Sequence, residues 1–272
     1  MSMRSKNRQK SSAYKGILPS IIIMIYLLIP LAVTIIYSLF QKWTDIVPEG
    51  FSVGAYRELF ANQEFVHSIG RSILLCIVPI AITVGIVLLA MFATTLYFPR
   101  LEKYIQIICM IPYTIQGVIL SVSILSLYVS SKSFLSNRLV MLFGAYSVII
   151  MPYIYQGIRN GMRTIHVETL IDAAQMLGCT RLYAFFRIIV PNILSSVIAS
   201  SLLAVGIIFG DYVLIRNLAG TSYQNMQIFL YQTMKSDSIK ASAVFVVIMC
   251  ITCFIAAVTL YMNRREKAGH RP

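Results

Sequence analysis

Residues 171–191 read IDAAQMLGCTRLYAFFRIIVP, a stretch of mixed polarity set between long apolar runs. Just before and within it, Val167, Leu170, Ile171, Ala174 and Leu177 recur at i, i+3, i+4, i+7 and i+10. That spacing is one stripe of an amphipathic helix. Glu168, Asp172 and Gln175 fall largely on other faces. Gly178 follows at once as a natural C′ residue, because without a Cβ it takes positive φ freely. Thr180 suits the N-cap of a second short helix carrying Arg181 and Arg187, and Pro191 marks the entry to the next apolar run. The pattern predicts a short helix, a sharp turn and another short helix.

Around this stretch the chain is oily. Of its 272 residues 58% are hydrophobic and 12% charged, where a soluble domain carries about 25% charge. Six apolar runs stand at roughly 17–40, 69–97, 104–130, 139–158, 194–216 and 239–262. Each is long enough to cross a bilayer as a helix, which takes about 20 residues. The alternating segments of a β-barrel are absent. The fold class predicted is all-α: a polytopic bundle of six transmembrane helices. Pro30, Pro79, Pro112 and Pro152 lie inside runs and read as kinks that neighbouring helices accommodate.

The basic residues set the topology. The N-terminal segment holds Arg4, Lys6, Arg8, Lys10 and Lys15, and the loop before the third run holds Arg100 and Lys103. The loop after the fourth run holds Arg159, Arg163, Arg181 and Arg187, and the tail holds Arg264, Arg265, Lys267 and Arg271. These fifteen of the 23 basic residues fall on one side of a six-span chain, while Asp45, Glu49, Glu58 and Glu64 fall on the other. Both termini and the loop 159–192 are therefore expected in the cytoplasm. The expected organisation is a basic segment at 1–16, a membrane domain at 17–262 and a basic tail at 263–272. The apolar core of the first run exceeds the 7–15 residues of a signal-peptide core, so it reads as a retained helix.

Catalytic signals are absent. There is no G-x-x-x-x-G-K-[ST] phosphate loop, no G-x-S-x-G and no H-E-x-x-H. Cys250-Ile-Thr-Cys253 sits in an apolar run with no second pair, and His67, His166 and His270 lack ligand spacing, so no metal site is expected. The net charge of +13 lies between apolar runs and not on a soluble basic face, which argues against nucleic acid. The amphipathic helix at 167–177 carries acids on its polar face, unlike most helices that lie in a lipid interface. Periodicity leaves two fates equally open: packing on its own bundle, or docking in a partner's groove.

The quoted stretch resembles the EAA motif of permease subunits in bacterial binding-protein-dependent ABC importers. That motif runs E-A-A, three residues, G, nine residues, I-x-L-P. Here Asp172-Ala173-Ala174, Gly178 and Ile188-Ile189-Val190-Pro191 keep both spacings, with Asp in place of Glu and Val in place of Leu. The length and the six runs extend the resemblance over nearly the whole chain.

The resemblance implies that Asp172, Ala173, Ala174 and Gly178, with Glu168, Leu177 and Arg181 beside them, form a coupling helix seated on an ABC ATPase subunit. It also implies a second permease subunit, expected to be a similar but different chain, an extracytoplasmic substrate-binding protein, and a place in the bacterial inner membrane. ATP and magnesium would sit on the ATPase, with no cofactor and no catalysis in this chain. Phe209-Gly210-Asp211-Tyr212-Val213, followed by Asn217-Leu218-Ala219-Gly220, resembles the subgroup that serves spermidine and putrescine, ferric iron and phosphonates. A polyamine is the substrate expected first. Asp211 reads as an acid inside the fifth run and, with Tyr212, is the pathway or gate candidate. The competing reading is a stand-alone secondary transporter or channel.

Overall fold

Apolar runs with no water to satisfy their backbone must close their hydrogen bonds internally, and here they do so as helices. The structure is a computed structural model that describes residues 3–42, 49–115, 117–128 and 136–269. Asp45, Arg271 and the end of the third run at 129–130 lie outside the described residues. Two compact units divide the chain: Met1–Gln63 with Leu230–Val247, and Glu64–Phe229 with Ile248–Pro272.

In the first unit, α1 (Met3–Ser38) is continuous through Pro19 and Pro30. Its apolar side chains stand outward, Tyr26 at 72% and Leu27 at 63% exposure, as a helix facing lipid or another subunit would. A small hairpin follows, β1 (Phe40–Lys42) and β2 (Glu49–Phe51), pairing Phe40 with Phe51 and Lys42 with Glu49. The two phenylalanine rings meet edge-on at 6.1 Å. The short helix α2 (Gly54–Ala61) is tied to α1 by a 2.6 Å hydrogen bond between the hydroxyls of Tyr56 and Ser38. Neither the hairpin nor α2 has a strong periodic signal in the sequence.

The second unit contains α3 (Gln63–Leu96, beginning at the unit boundary), α4 (Glu102–Met110), α5 (Gly117–Tyr128) and α6 (Arg138–Thr164). The loop helices are α7 (Val167–Met176), α8 (Arg181–Ala184) and α9 (Val190–Asn192), and a π-helical turn at Phe185–Ile189 joins the last two. Then come α10 (Leu194–Gly210) and α11 (Val213–Ala219), and after them α12 (Met226–Ser236) and α13 (Ser238–Gly269), which run across the unit boundaries. Among the described residues four helices are long and apolar enough to cross a membrane: Ile21–Ser38, Gln63–Leu96, Arg138–Thr164 and Ser238–Met262. Two bent pairs, Pro99–Thr114 with Gly117–Tyr128 and Arg181–Asn192 with Leu194–Gly210, bring the number to six.

Three departures from the expected runs bear on the site. The third run is not one helix: Pro112 opens a 3-10 turn at Ile111–Thr114 between α4 and α5, where a simple kink was expected. The fourth continues to Thr164, six residues beyond its apolar edge. The fifth ends at Gly210, so Asp211 lies in a break and not inside a helix.

The centre of the second unit is α6. Leu142, Tyr146, Ile150, Ile154, Tyr155 and Ile158 are all at most 1% exposed. Its closest neighbour is α10, and small residues make the approach possible. A Cβ placed on Gly157 would lie 2.2 Å from Ser200 Cβ, and one on Gly161 would lie 2.7 Å from Ser196 Cβ. Gly157-x-x-x-Gly161 against Ser196-x-x-x-Ser200 is the small-residue packing that lets membrane helices touch along their backbones. On the other side, Thr83 Oγ1 of α3 donates to Pro79 O at 2.8 Å and to Ser147 O of α6 at 3.3 Å. The Thr83 hydroxyl thereby spends its donor on backbone carbonyls inside the bundle, one of them on the neighbouring helix.

Candidate functional site

Residues 159–164 of the expected loop belong to α6, and from Val167 to Ala184 the chain folds as the predicted helix, turn and second short helix. α7 spans ten residues and buries Val167, Ile171 and Ala174. Gly178 sits at φ 82°, and the turn closes with two backbone hydrogen bonds, Cys179 N to Ala174 O at 3.0 Å and Gly178 N to Gln175 O at 2.9 Å. These are the two bonds of a Schellman C-cap. Thr180 Oγ1 accepts from Tyr183 N at 3.3 Å, the expected N-cap of α8. Beyond it Ala184, Phe185 and Ile189 are fully buried, and the Phe185 ring meets Phe92 of α3 at 5.0 Å. Arg181 reaches the carbonyl of Leu96, the last residue of α3, at 3.5 Å.

The apolar stripe therefore packs on the chain's own bundle. Ala174, placed among the partner contacts by its motif position, is 3% exposed and faces inward with Val167 and Ile171, so it is a packing residue here. Leu177 leaves the stripe because the helix has already ended at Met176. What the loop shows outward is different: Asp172, Ala173 and Gly178 are exposed, as are Glu168 and Arg181. Leu177 is 85% exposed, and Met176, which periodicity passes over, is 91% exposed. The tip is thus two large apolar side chains with an acid one turn behind. Glu168, Asp172, Gln175 and Arg181 also border a shallow depression of about 220 Å³ with Thr95 and Leu96.

Asp211 belongs to a second constellation. The backbone there is extended, with φ −84° and ψ 126°, and separates α10 from α11. Its Oδ2 accepts from Leu214 N at 3.0 Å, capping α11, and from the Tyr146 hydroxyl of α6 at 3.0 Å. Tyr146 is 1% exposed and Asp211 half-buried, so this part-buried bond fastens the break to the central helix. Tyr212 is half-buried at the start of α11. Asn217 of α11 donates to Ser121 Oγ of α5 at 2.8 Å, and Gln227 donates to Phe209 O at 3.0 Å. The Asp211 carboxylate is used by the fold itself. Among the described residues no group of three or more His, Cys, Asp or Glu is placed to hold a metal.

Sequence reasoning missed Tyr146, Met176 and the Gly157/Gly161 contact. A signal existed for the last alone, since G-x-x-x-G is visible at 157–161.

Known proteins agree with this architecture. The family model described as the binding-protein-dependent transport system inner membrane component matches residues 81–267. PhnV of Salmonella typhi, which carries the name of a 2-aminoethylphosphonate transport system permease protein, is 20% identical over 96% of this chain and 97% of its own. PotC of Haemophilus influenzae, a spermidine/putrescine transport system permease protein, is 21% identical over 86% of this chain and 91% of its own. Among solved structures, a chain of a bacterial ABC transporter involved in import of the acidic polysaccharide alginate superposes with a TM-score of 0.71. It shares 16% identity and covers 97% of this chain and 99% of that one. Long apolar helices, the turn at Gly178 and the match over residues 81–267 lead to one conclusion: the chain belongs to the binding-protein-dependent transport system inner membrane components, as a multi-pass permease subunit of an ABC importer.

Proposed function

We propose that this permease makes half of a translocation pathway and couples to a separate ATPase subunit through α7 and the Gly178 turn. The observation that supports it is the tip itself. Met176 and Leu177 stand out at 91% and 85% exposure on a turn held by its own backbone, and two such side chains favour a cover. Asp172 and Ala173 flank them as the polar and the closely approachable parts of the contact, with Glu168 and Arg181 at the rim. Both termini and this loop lie on the cytoplasmic side, supported by the fifteen basic residues on that face. A second permease completes the pathway, and an extracytoplasmic binding protein delivers the substrate. The solved relative's complex with an alginate pentasaccharide-bound periplasmic protein supports the last point by analogy. ATP and magnesium act on the ATPase. Closure of that subunit pair shifts the bundle between two rigid states.

For the substrate, a small phosphonate now stands ahead of a polyamine. Three relatives named for 2-aminoethylphosphonate match 96% of this chain and a fourth 74%, and one named for spermidine and putrescine matches 86%. Asp211, the acid that a cationic substrate would use, is already engaged by Tyr146 and Leu214. The test is uptake into proteoliposomes holding the permease pair, the ATPase and the binding protein, with 2-aminoethylphosphonate and spermidine supplied in turn. ATP-dependent uptake of the first is expected. Uptake that persists with the ATPase omitted would instead establish a secondary carrier.

A further inference from the structure

Among the ion pairs of the described residues, Glu102 with Arg159 differs in kind. Arg159 Nε and Nη2 both donate to Glu102 Oε1, at 3.0 and 2.8 Å, with the arginine side chain 18% and the glutamate side chain 43% exposed. The Arg71–Glu64 pair is 3.9 Å long on side chains 38% and 61% exposed. Lys240–Glu58 is short, at 2.8 Å, but lies on side chains 45% and 65% exposed. Exposed pairs contribute little, whereas a charge-assisted pair partly out of water is costly to break. The Arg159 guanidinium also lies 6.0 Å from the centre of the Tyr155 ring, which helps fix its direction.

The position of the pair gives it a task. Glu102 is the first residue of α4, and Arg159 lies near the end of α6, five residues before that helix stops at Thr164. A depression of about 360 Å³ is lined by both residues and continues past Arg163 and His166 to Glu168 and Thr169 of α7. The pair therefore stands at the root of the coupling helix. A load on α7 passes to α6 along the chain, and from α6 to α10 through the Gly157 and Gly161 contacts. The other branch is α4 and α5, which pack on α6 through apolar contacts and reach α11 through the Asn217–Ser121 hydrogen bond. Glu102–Arg159 is the charged contact that joins this branch to α6 at the level of α7.

We infer that Glu102 and Arg159 are positioning residues for transport: their pair carries the movement of α7 into α4 and α5, so that α5 moves together with α10. This rests on the coupling reading given above.

The test uses the full complex with its ATPase, in a chain whose five cysteines are replaced and spin labels are attached at Leu127→Cys on α5 and Leu203→Cys on α10. The distance distribution is measured without nucleotide and after trapping with ATP and vanadate. The unmodified pair should show a shift on trapping. Arg159→Gln and Glu102→Gln should still bind the ATPase but reduce the shifted population about five- to tenfold. The swapped pair, Glu102→Arg with Arg159→Glu, should recover most of it, which a merely structural effect of either single change would not produce. Single variants that shift like the parent overturn the inference, as does a swap no better than the singles. A parent complex that binds ATPase yet shows no shift overturns it too, while leaving the coupling reading intact. Failure of the parent to bind ATPase at all removes both.

Discussion

Two interruptions in the second unit, each beside a glycine at a helix end, are built in opposite ways. At Gly178 the turn closes with backbone bonds alone, its φ of 82° suits glycine, and a Cβ there would meet nothing within 4 Å. The side chains beside it, Met176 and Leu177, are left out in the open. At Gly210 the helix ends into Asp211, and side chains stitch the gap: Tyr146 from α6 and the cap to Leu214. The residues beyond it, Leu214 and Ile215, are fully buried. An exposed turn that depends on no other element can be shaped for a partner. A half-buried break satisfied by the central helix is part of the bundle's frame. The contrast separates a surface left open to a partner from the scaffold behind it.

The buried side should break hardest. Gly157→Leu drives a side chain into Ser200 at the closest point of α6 and α10, and should cost about 3 kcal/mol or more, at the upper end of overpacking. Folded material recovered from detergent by size-exclusion chromatography should fall sharply, and the added change Ser200→Gly should restore part of it. On the exposed side, Met176→Asp with Leu177→Asp should leave that folded yield unchanged. It should weaken ATPase binding by about 2–4 kcal/mol, the range of interface anchors, measured as the dissociation constant of the detergent-solubilised complex.

Smaller effects sharpen the contrast. Gly178→Val has room for its side chain but not for its backbone, so roughly 1–3 kcal/mol of local strain should appear as weaker ATPase binding at normal membrane content. Gly178→Asn should be milder, because Asn tolerates left-handed backbone. Tyr146→Phe removes one buried donor and should lower thermal stability by about 0.5–1.5 kcal/mol, without affecting ATPase binding. Asp211→Asn keeps an acceptor for Leu214 and for Tyr146 and should have the smallest effect in the same melting assay.

The membrane class and the short helix, turn and short helix at 167–190 were legible because each rests on local chemistry: run length, a 3.6-residue stripe, a glycine at C′ and a threonine cap. Which face of α7 meets a partner was not legible. A stripe marks burial without saying against what, and here Ala174 is buried at home while Met176, off the stripe, is exposed. The break at Asp211 was hidden for a related reason. Hydropathy is continuous from 194 to 216, and the bond that makes the break affordable comes from Tyr146, 65 residues away. The Glu102–Arg159 pair was equally out of reach, since Arg159 read only as one of the basic residues on one face and Glu102 carried no signal of its own.

The central claim is that the exposed tip of α7 is the contact with an ATPase subunit. A photo-crosslinking amino acid placed at Met176 in the intact complex tests it directly, with one at Tyr26, an exposed position on α1, as the control. Irradiation should join the Met176 position to the nucleotide-binding subunit and leave the Tyr26 position free of it. A Met176 probe that crosslinks only to lipid or to the other permease, in a complex that still hydrolyses ATP, would contradict the account.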